Sequence, residues 1–160
     1  MTASVSALVA ELKARAEAGK PVTVGLAGCG QMGTDIVVQL FRMPGLRLGA
    51  IAEMRPEAAT AAALLAGFRD DAFVHAGTAP AIDRAIEAGR LAITSDLEAL
   101  ARAGRIDVVI DATGNPNIGT SFALDAIANG KHVVMLNVEA DITIGRHLLD
   151  QARKAGVVYT

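Results

Sequence analysis

Tryptophan is absent, and only 3% of the 160 residues are aromatic. A core cannot then be built around large rings. It must come from Ala, Val, Leu and Ile, which suits a sheet covered by helices on both faces. A single cysteine, Cys29, rules out an internal disulfide and fits a reducing compartment. Basic charge is not in excess: the net charge is -2, so a polyanionic partner such as nucleic acid is not expected. No apolar run approaches the roughly 18 residues of a membrane span. Nor does the start of the chain show a basic segment followed by an apolar stretch. The expectation is a cytoplasmic protein with no membrane or nucleic-acid partner.

Hydrophobic residues, at 52%, fall instead into short runs split by turn signals. The most informative run is Val22-Thr-Val-Gly-Leu-Ala-Gly-Cys-Gly-Gln-Met-Gly33. It reads as a strand, then Gly28-x-Gly30-x-x-Gly33, then the start of a helix. That is the context a dinucleotide fingerprint requires. Gly28 permits a sharp exit from the strand. Gly30 leaves a pyrophosphate room beside the backbone, and Gly33 lets the helix pack closely. Cys29, Gln31 and Met32 complete the phosphate loop, and the helix N-terminus offers free N–H groups. Cys29 reads as a small residue that fits there, because a reactive thiol needs both access and a low pKa.

Strands are expected at 22–26, 46–52, 91–94, 106–111, 131–136 and 157–159, with helices between most of them. Alternation of this kind gives an α/β fold with a parallel, doubly wound sheet of the Rossmann type, in the order 3-2-1-4-5-6. Two features lie outside that plan. Residues 1–20 form an accessory N-terminal helix whose apolar stripe should pack on the domain or on a partner chain. Residues 70–90 form an insertion before the third strand, holding a short Phe73-Val-His75 run and a helix. His75 has no companion at metal-ligand spacing and reads as a surface residue. Residues 21–160 then make up the dinucleotide-binding domain.

Glu53 ends the second strand, 20 positions after Gly33. An acidic side chain there accepts hydrogen bonds from the adenosine ribose and favours NAD. Arg55 could instead pair with the 2′-phosphate of NADP, so the choice between NAD and NADP stays open. Ligands of such folds lie beyond the carboxyl ends of the strands. Two more loops should meet there. Asp111 to Asn117 would carry Thr113 and Gly114 beneath the nicotinamide-side ribose, with Asn117 available as a helix cap. Asn137 to Asp141 would be an exit loop before a helix from Thr143. Asn137 is expected near the cofactor. Glu139 is the candidate catalytic residue, and Glu139 with Asp141 could hold Mg or Mn. Asp141 could equally cap the helix. There is no metal-ligand cluster, and no nucleophile with its base.

Three stretches carry a family resemblance: residues 22–38, Asp111-Ala-Thr-Gly-Asn-Pro116, and Val134-Met-Leu-Asn-Val-Glu-Ala-Asp-Ile-Thr-Ile-Gly145. Together they resemble the homoserine dehydrogenase-like proteins, from about Pro21 to Thr160. Within them the resemblance is greatest to the 1-deoxy-D-xylulose 5-phosphate reductoisomerase-like branch, which bears a C-terminal SAF domain; the first stretch is generic to the fold and the third distinctive. The resemblance implies an NAD(P)-dependent oxidoreductase, with NADPH in the reductoisomerase-like branch and a sugar phosphate as substrate. It implies further substrate-binding and dimerisation regions beyond this chain, hence a homo-oligomer and a cofactor domain inactive alone. By motif, Gly28, Gly30 and Gly33 carry over to the phosphate loop, and Thr113 and Gly114 to the nicotinamide half. Homoserine dehydrogenases carry a lysine after the fifth strand, within Ala-Asn-Lys; that place is assigned to Glu139 here. A non-catalytic module that senses NAD(H) and dimerises is the alternative reading.

Overall fold

A computed structural model describes residues 5–160. Helix α1 (Val5–Glu17) precedes a run of β1 (Val22–Ala27), α2 (Gln31–Arg42), β2 (Leu46–Ala52) and α3 (Pro56–Ala66). A 3-10 turn at Asp70–Ala72 leads to β3 (Phe73–His75), α4 (Ala79–Glu87), β4 (Leu91–Thr94) and α5 (Leu97–Arg102). The chain continues through β5 (Val108–Asp111), α6 (Pro116–Ala128), β6 (His132–Met135) and α7 (Val138–Ala155).

All described pairings are parallel, in the order β3-β4-β2-β1-β5-β6. This is the doubly wound arrangement expected, with β1 and β5 astride the point where chain direction across the sheet reverses. Residues 157–159 take the expected outermost place beside β6, held by a single parallel bridge between Val133 and Tyr159. The segment read as an insertion does more than interrupt. It adds β3 as an edge strand on β4, so 70–90 is one further turn of the same strand-helix alternation.

Side chains alternate across the sheet, and each face has its own core. Val24, Leu26, Leu48, Ile51 and Ile93 pack with Val37 and Leu40 of α2 and the alanines of α3. On the other face, Ala27, Ala50, Ala92 and Val109 pack beneath Ile82, Leu100, Phe122 and Leu148 of α4 to α7. Small residues bring the second layer close: a Cβ on Gly25 would sit 2.8 Å from a Leu100 methyl. Each fully buried Leu or Ile contributes roughly 1.5–3 kcal/mol, so aliphatic burial replaces the missing rings.

Helix α1 is the least integrated element. Leu8 is 53% and Val9 44% exposed, so the expected stripe does not bury itself on this domain. Its contact is with the turn before β2, where a Cβ on Gly45 would fall 2.0 Å from the Leu12 carbonyl oxygen.

Candidate functional site: a dinucleotide cleft

Three glycines shape the turn after β1, each for a different reason. Gly28 has φ +89°, and a Cβ on it would lie 2.6 Å from the Ala112 carbonyl oxygen. Only glycine allows the turn to rest against the exit of β5. A Cβ on Gly33 would lie 2.2 Å from the Gly28 carbonyl oxygen. Gly30 is the opposite case: nothing stands within 4 Å of where its Cβ would be.

Gly30 is also the N-cap of α2, and it supplies no capping side chain. The other strand-following helices differ. Thr78, Asp96, Asn115 and Asn137 cap α4 to α7 with side-chain acceptors, and α3 starts with a proline. A Ser or Asp at position 30 would have occupied the free amides itself. Among the described residues, none accepts from the N–H groups of Gly30, Gln31, Met32 or Gly33, and the first helical bond is donated by Thr34 to the Gly30 carbonyl. Helix α2 therefore presents its positive end, with unpaired donors at exposed Gly30, Gln31 and Met32 and at buried Gly33 behind them.

The Cys29 amide is not among those free donors. It donates to Glu53 Oε2 at 2.8 Å. The thiol is 4% exposed, and burial pushes its pKa up, which fits the reading of a small packing residue. Glu53 Oε1 accepts from the Arg55 amide at 3.1 Å, and the Arg55 guanidinium stands 3.9 Å away. The Glu53 side chain is only 13% exposed, against 74% for Arg55. The carboxylate is thus clamped between the glycine turn and the loop after β2, where a ribose would reach it.

A cavity of about 200 Å³ opens beside this clamp, lined by Gly28, Glu53, Met54, Leu97, Thr113 and Ile118, among others. Met54, Leu97 and Ile118 give it apolar walls, which suit a flat heteroaromatic ring. Sequence reasoning missed these three. The loop after β4 was not among the three expected to meet at the strand ends, and nothing in the chain marks Leu97 as wall and not core.

The far side of the cleft is organised by side chains. Asp111, fully buried at the end of β5, accepts at Oδ1 from the Thr113 amide (2.9 Å) and the Thr113 hydroxyl (2.7 Å). Its Oδ2 is buried with no hydrogen-bond partner. Leaving such an acceptor unpaired costs about 1–3 kcal/mol. Asn137, 1% exposed, donates from Nδ2 to the Asn115 carbonyl (2.8 Å) and to Thr113 Oγ1 (3.4 Å). Its Oδ1 accepts from the Ala140 amide at 3.3 Å. Asn137 stands next to Thr113, as expected, but as a buried brace with its amide group committed. Gly114 turns away from this network with φ +65° and open space about it.

Two helix starts differ from expectation. Helix α6 begins at Pro116, capped by Asn115 in place of Asn117, because Asn115 Oδ1 reaches the amides of both Asn117 and Ile118. Helix α7 begins at Val138, so the expected exit loop is its first turn. Its cap is Asn137 and not Asp141, since Asn137 alone is placed to reach the Ala140 amide. Asp141 accepts instead from the Tyr159 hydroxyl at 2.6 Å, and burial followed by this carboxylate drives the phenol pKa well up. Glu139 is exposed in the same turn, where its carbonyl accepts from the Thr143 hydroxyl. Neither Glu139 nor Asp141 lines the cavity. Among the described residues, no three His, Cys, Asp or Glu side chains come together to hold a metal ion.

The sheet topology, the uncapped helix over a glycine turn and the clamped acid beyond β2 define a dinucleotide-binding domain of oxidoreductase type. The chain belongs to the family described as "Homoserine dehydrogenase, NAD binding domain", whose pattern matches residues 28–160. It is 29% identical over 148 residues to a homoserine dehydrogenase of Pseudomonas aeruginosa, covering 87% of this chain and 28% of that protein. The chain thus spans under a third of that relative. Among solved structures, a homoserine dehydrogenase from Thiobacillus denitrificans is 25% identical with a TM-score of 0.66, over 88% of this chain and 29% of that one. The WlbA dehydrogenase of Bordetella pertussis, solved with NADH and UDP-GlcNAcA, shares the fold at 20% identity and a TM-score of 0.61, over 87% of this chain and 36% of that one. No lysine stands at Val138 or Glu139, just after β6.

No described helix is long and apolar enough to cross a membrane.

Proposed function

We propose that this chain is the cofactor-holding domain of a longer NAD-dependent oxidoreductase, and that it is inactive alone. The single observation carrying this is the bare N-terminus of α2. Four amides stand free there, and the space a side chain would fill at Gly30 is empty. These residues fit a dinucleotide. Gly30, Gln31, Met32 and Gly33 would receive the pyrophosphate, Glu53 the adenosine ribose, and Met54, Leu97 and Ile118 the adenine. Thr113 and Gly114 would border the nicotinamide half. Bound there, the nicotinamide supplies a hydride donor or acceptor to a small-molecule substrate held by the remainder of the protein, itself proposed to form a homo-oligomer.

The clamp on Glu53 supports NAD over NADP. The carboxylate has amide donors on both oxygens, so it is held where a 2′-phosphate would meet it. Titration of the chain with NADH and NADPH, followed by nicotinamide fluorescence, tests this. NADH should bind at least about tenfold tighter, a difference of roughly 1.4 kcal/mol. Equal affinity would remove Glu53 from the argument, and no binding of either would overturn the assignment.

A second reading keeps the reductoisomerase-like branch, with NADPH, a sugar phosphate and a divalent ion supplied in the whole protein. It is favoured by the lack of a lysine at Val138 or Glu139, near where homoserine dehydrogenases carry theirs. Turnover of a sugar phosphate by the longest natural form, with no turnover of homoserine, would support it. Cofactor binding with no turnover by any longer form would support a sensing module.

A further inference from the structure

We infer that Arg47 and Arg90 form a binding site for a small organic carboxylate with an apolar body, at the end of the sheet opposite the dinucleotide cleft. Leu46 opens β2 there and Leu91 opens β4, while the cleft lies at the other ends of these strands, beside Ala52 and Ser95. The site does not depend on the cofactor reading.

Every other arginine of the chain is exposed, and most of them pair with a carboxylate. Arg47 and Arg90 are half-buried, and among the described residues neither is in an ion pair. Each donates from Nη2 to a backbone carbonyl: Arg47 to that of Ile86, near the end of α4, and Arg90 to that of Phe73 at 2.7 Å. Arg90 Nε is buried with no partner. The two arginines drawn out of water are thus two that lack a counter-ion. Both border one cavity of about 230 Å³, walled also by Leu40, Phe41, Phe68 and Leu91. The cavity opens where the sheet splits. Strands β2 and β4 pair only from Ala50 and Ala92 onward, so residues 46–48 and 89–91 stand apart.

The chemistry follows from that geometry. A cation withdrawn from water costs free energy unless acceptors meet it. A guanidinium carries several N–H donors in a planar fork, and one carbonyl takes up only part of them. The paired oxygens of a carboxylate match that fork. The remaining walls are leucine and phenylalanine, with the Phe41 and Phe68 ring centroids 4.7 Å apart. They suit a ring or a branched alkyl group. They offer no donor to further oxygens, which disfavours inorganic phosphate. The volume is several times the ~30 Å³ a water takes, enough for one small molecule. Holding the Ile86 carbonyl accounts for Arg47 alone, and it asks for neither a second cation nor a shared space.

Benzoate, benzamide and inorganic phosphate separate charge from shape. Benzamide keeps the ring and loses the charge; phosphate keeps the charge and loses the ring. Each would be titrated into the 160-residue chain and followed in ¹H–¹⁵N spectra that include the arginine Nε–H signals. Benzoate is expected to saturate with a dissociation constant of about 1 mM or tighter, moving the amides of Leu48, Gly89 and Arg90 most. Benzamide and phosphate should each bind at least about tenfold more weakly. Arg47→Met and Arg90→Met keep an apolar stem and remove the charge, and each should weaken benzoate at least about tenfold. Thermal melts would show whether each variant folds. Benzoate that does not saturate, or that moves only residues elsewhere, would overturn the assignment. So would benzamide or phosphate binding as tightly as benzoate. If Arg90→Met does not fold, Arg47→Met decides: unchanged benzoate affinity overturns it. If neither folds, the contrast between benzoate and benzamide on the unmutated chain decides.

Discussion

The two halves of the cleft are built on opposite plans. At the phosphate half, function comes from what is left out: no cap on α2, no side chain at Gly30, no acceptor for four amides. At the loops after β5 and β6, Asp111, Thr113, Asn115 and Asn137 bond to one another and cap two helices, with Asp111 Oδ2 left over. The first half waits for an anion to complete it. The second is braced by its own side chains before any ligand binds. The free energy of anion binding is available only where the protein has not already used its own donors.

That contrast can be broken most severely at the glycines. Gly33→Ala forces a Cβ to 2.2 Å from a backbone carbonyl, so the turn must move. It should cost about 2–3 kcal/mol in denaturant unfolding and abolish nucleotide binding, an overpacking effect. Gly30→Asp should leave stability within about 0.5 kcal/mol, because the position is open, yet weaken NADH at least about 100-fold by placing a carboxylate on the amides. Unchanged affinity in that folded variant would contradict the placement. Glu53→Gln removes the charge from the ribose end. It should narrow the preference for NADH over NADPH by about tenfold, measured as a ratio of dissociation constants. Arg55→Ala should act less, weakening NADPH about two- to threefold and NADH hardly at all, because an exposed pair contributes under about 1 kcal/mol. The smallest effect concerns Cys29: with its thiol buried and its pKa raised, alkylation at pH 8 should be slow until the chain is unfolded. Rapid labelling of the native chain would show the glycine turn to be looser than described.

The same contrast separates what could be read from the chain from what could not. The phosphate half was legible because it rests on local spacing: a strand, three glycines and a helix are contiguous, and Glu53 lies one strand on. The strand order followed from alternation, and even Phe73-Val-His75 was visible as a run. Its promotion to an edge strand was not, because three residues carry little periodicity without the partner β4. The loops after β5 and β6 were legible only in part. Thr113, Gly114 and Asn137 were marked by motif and loop position, but their bonds join residues 22 to 24 positions apart. The start of α7 was missed for a related reason. Asn137 and Asp141 are both good caps by type, and only the fold shows Asn137 accepting from the Ala140 amide while Asp141 accepts from the Tyr159 hydroxyl. Asp111 looked like the last residue of a buried strand. A carboxylate that ends a strand gives no sign, in sequence, of holding the next loop.

The central claim is that α2 reserves its own amides for a diphosphate. Its most direct test is a ¹H–¹⁵N correlation spectrum of the chain titrated with ADP-ribose. The account predicts that the amides of Gly30, Gln31, Met32 and Gly33 move the most, while that of Cys29, already bonded to Glu53, moves less. Saturable binding that leaves those four amides in place would contradict it.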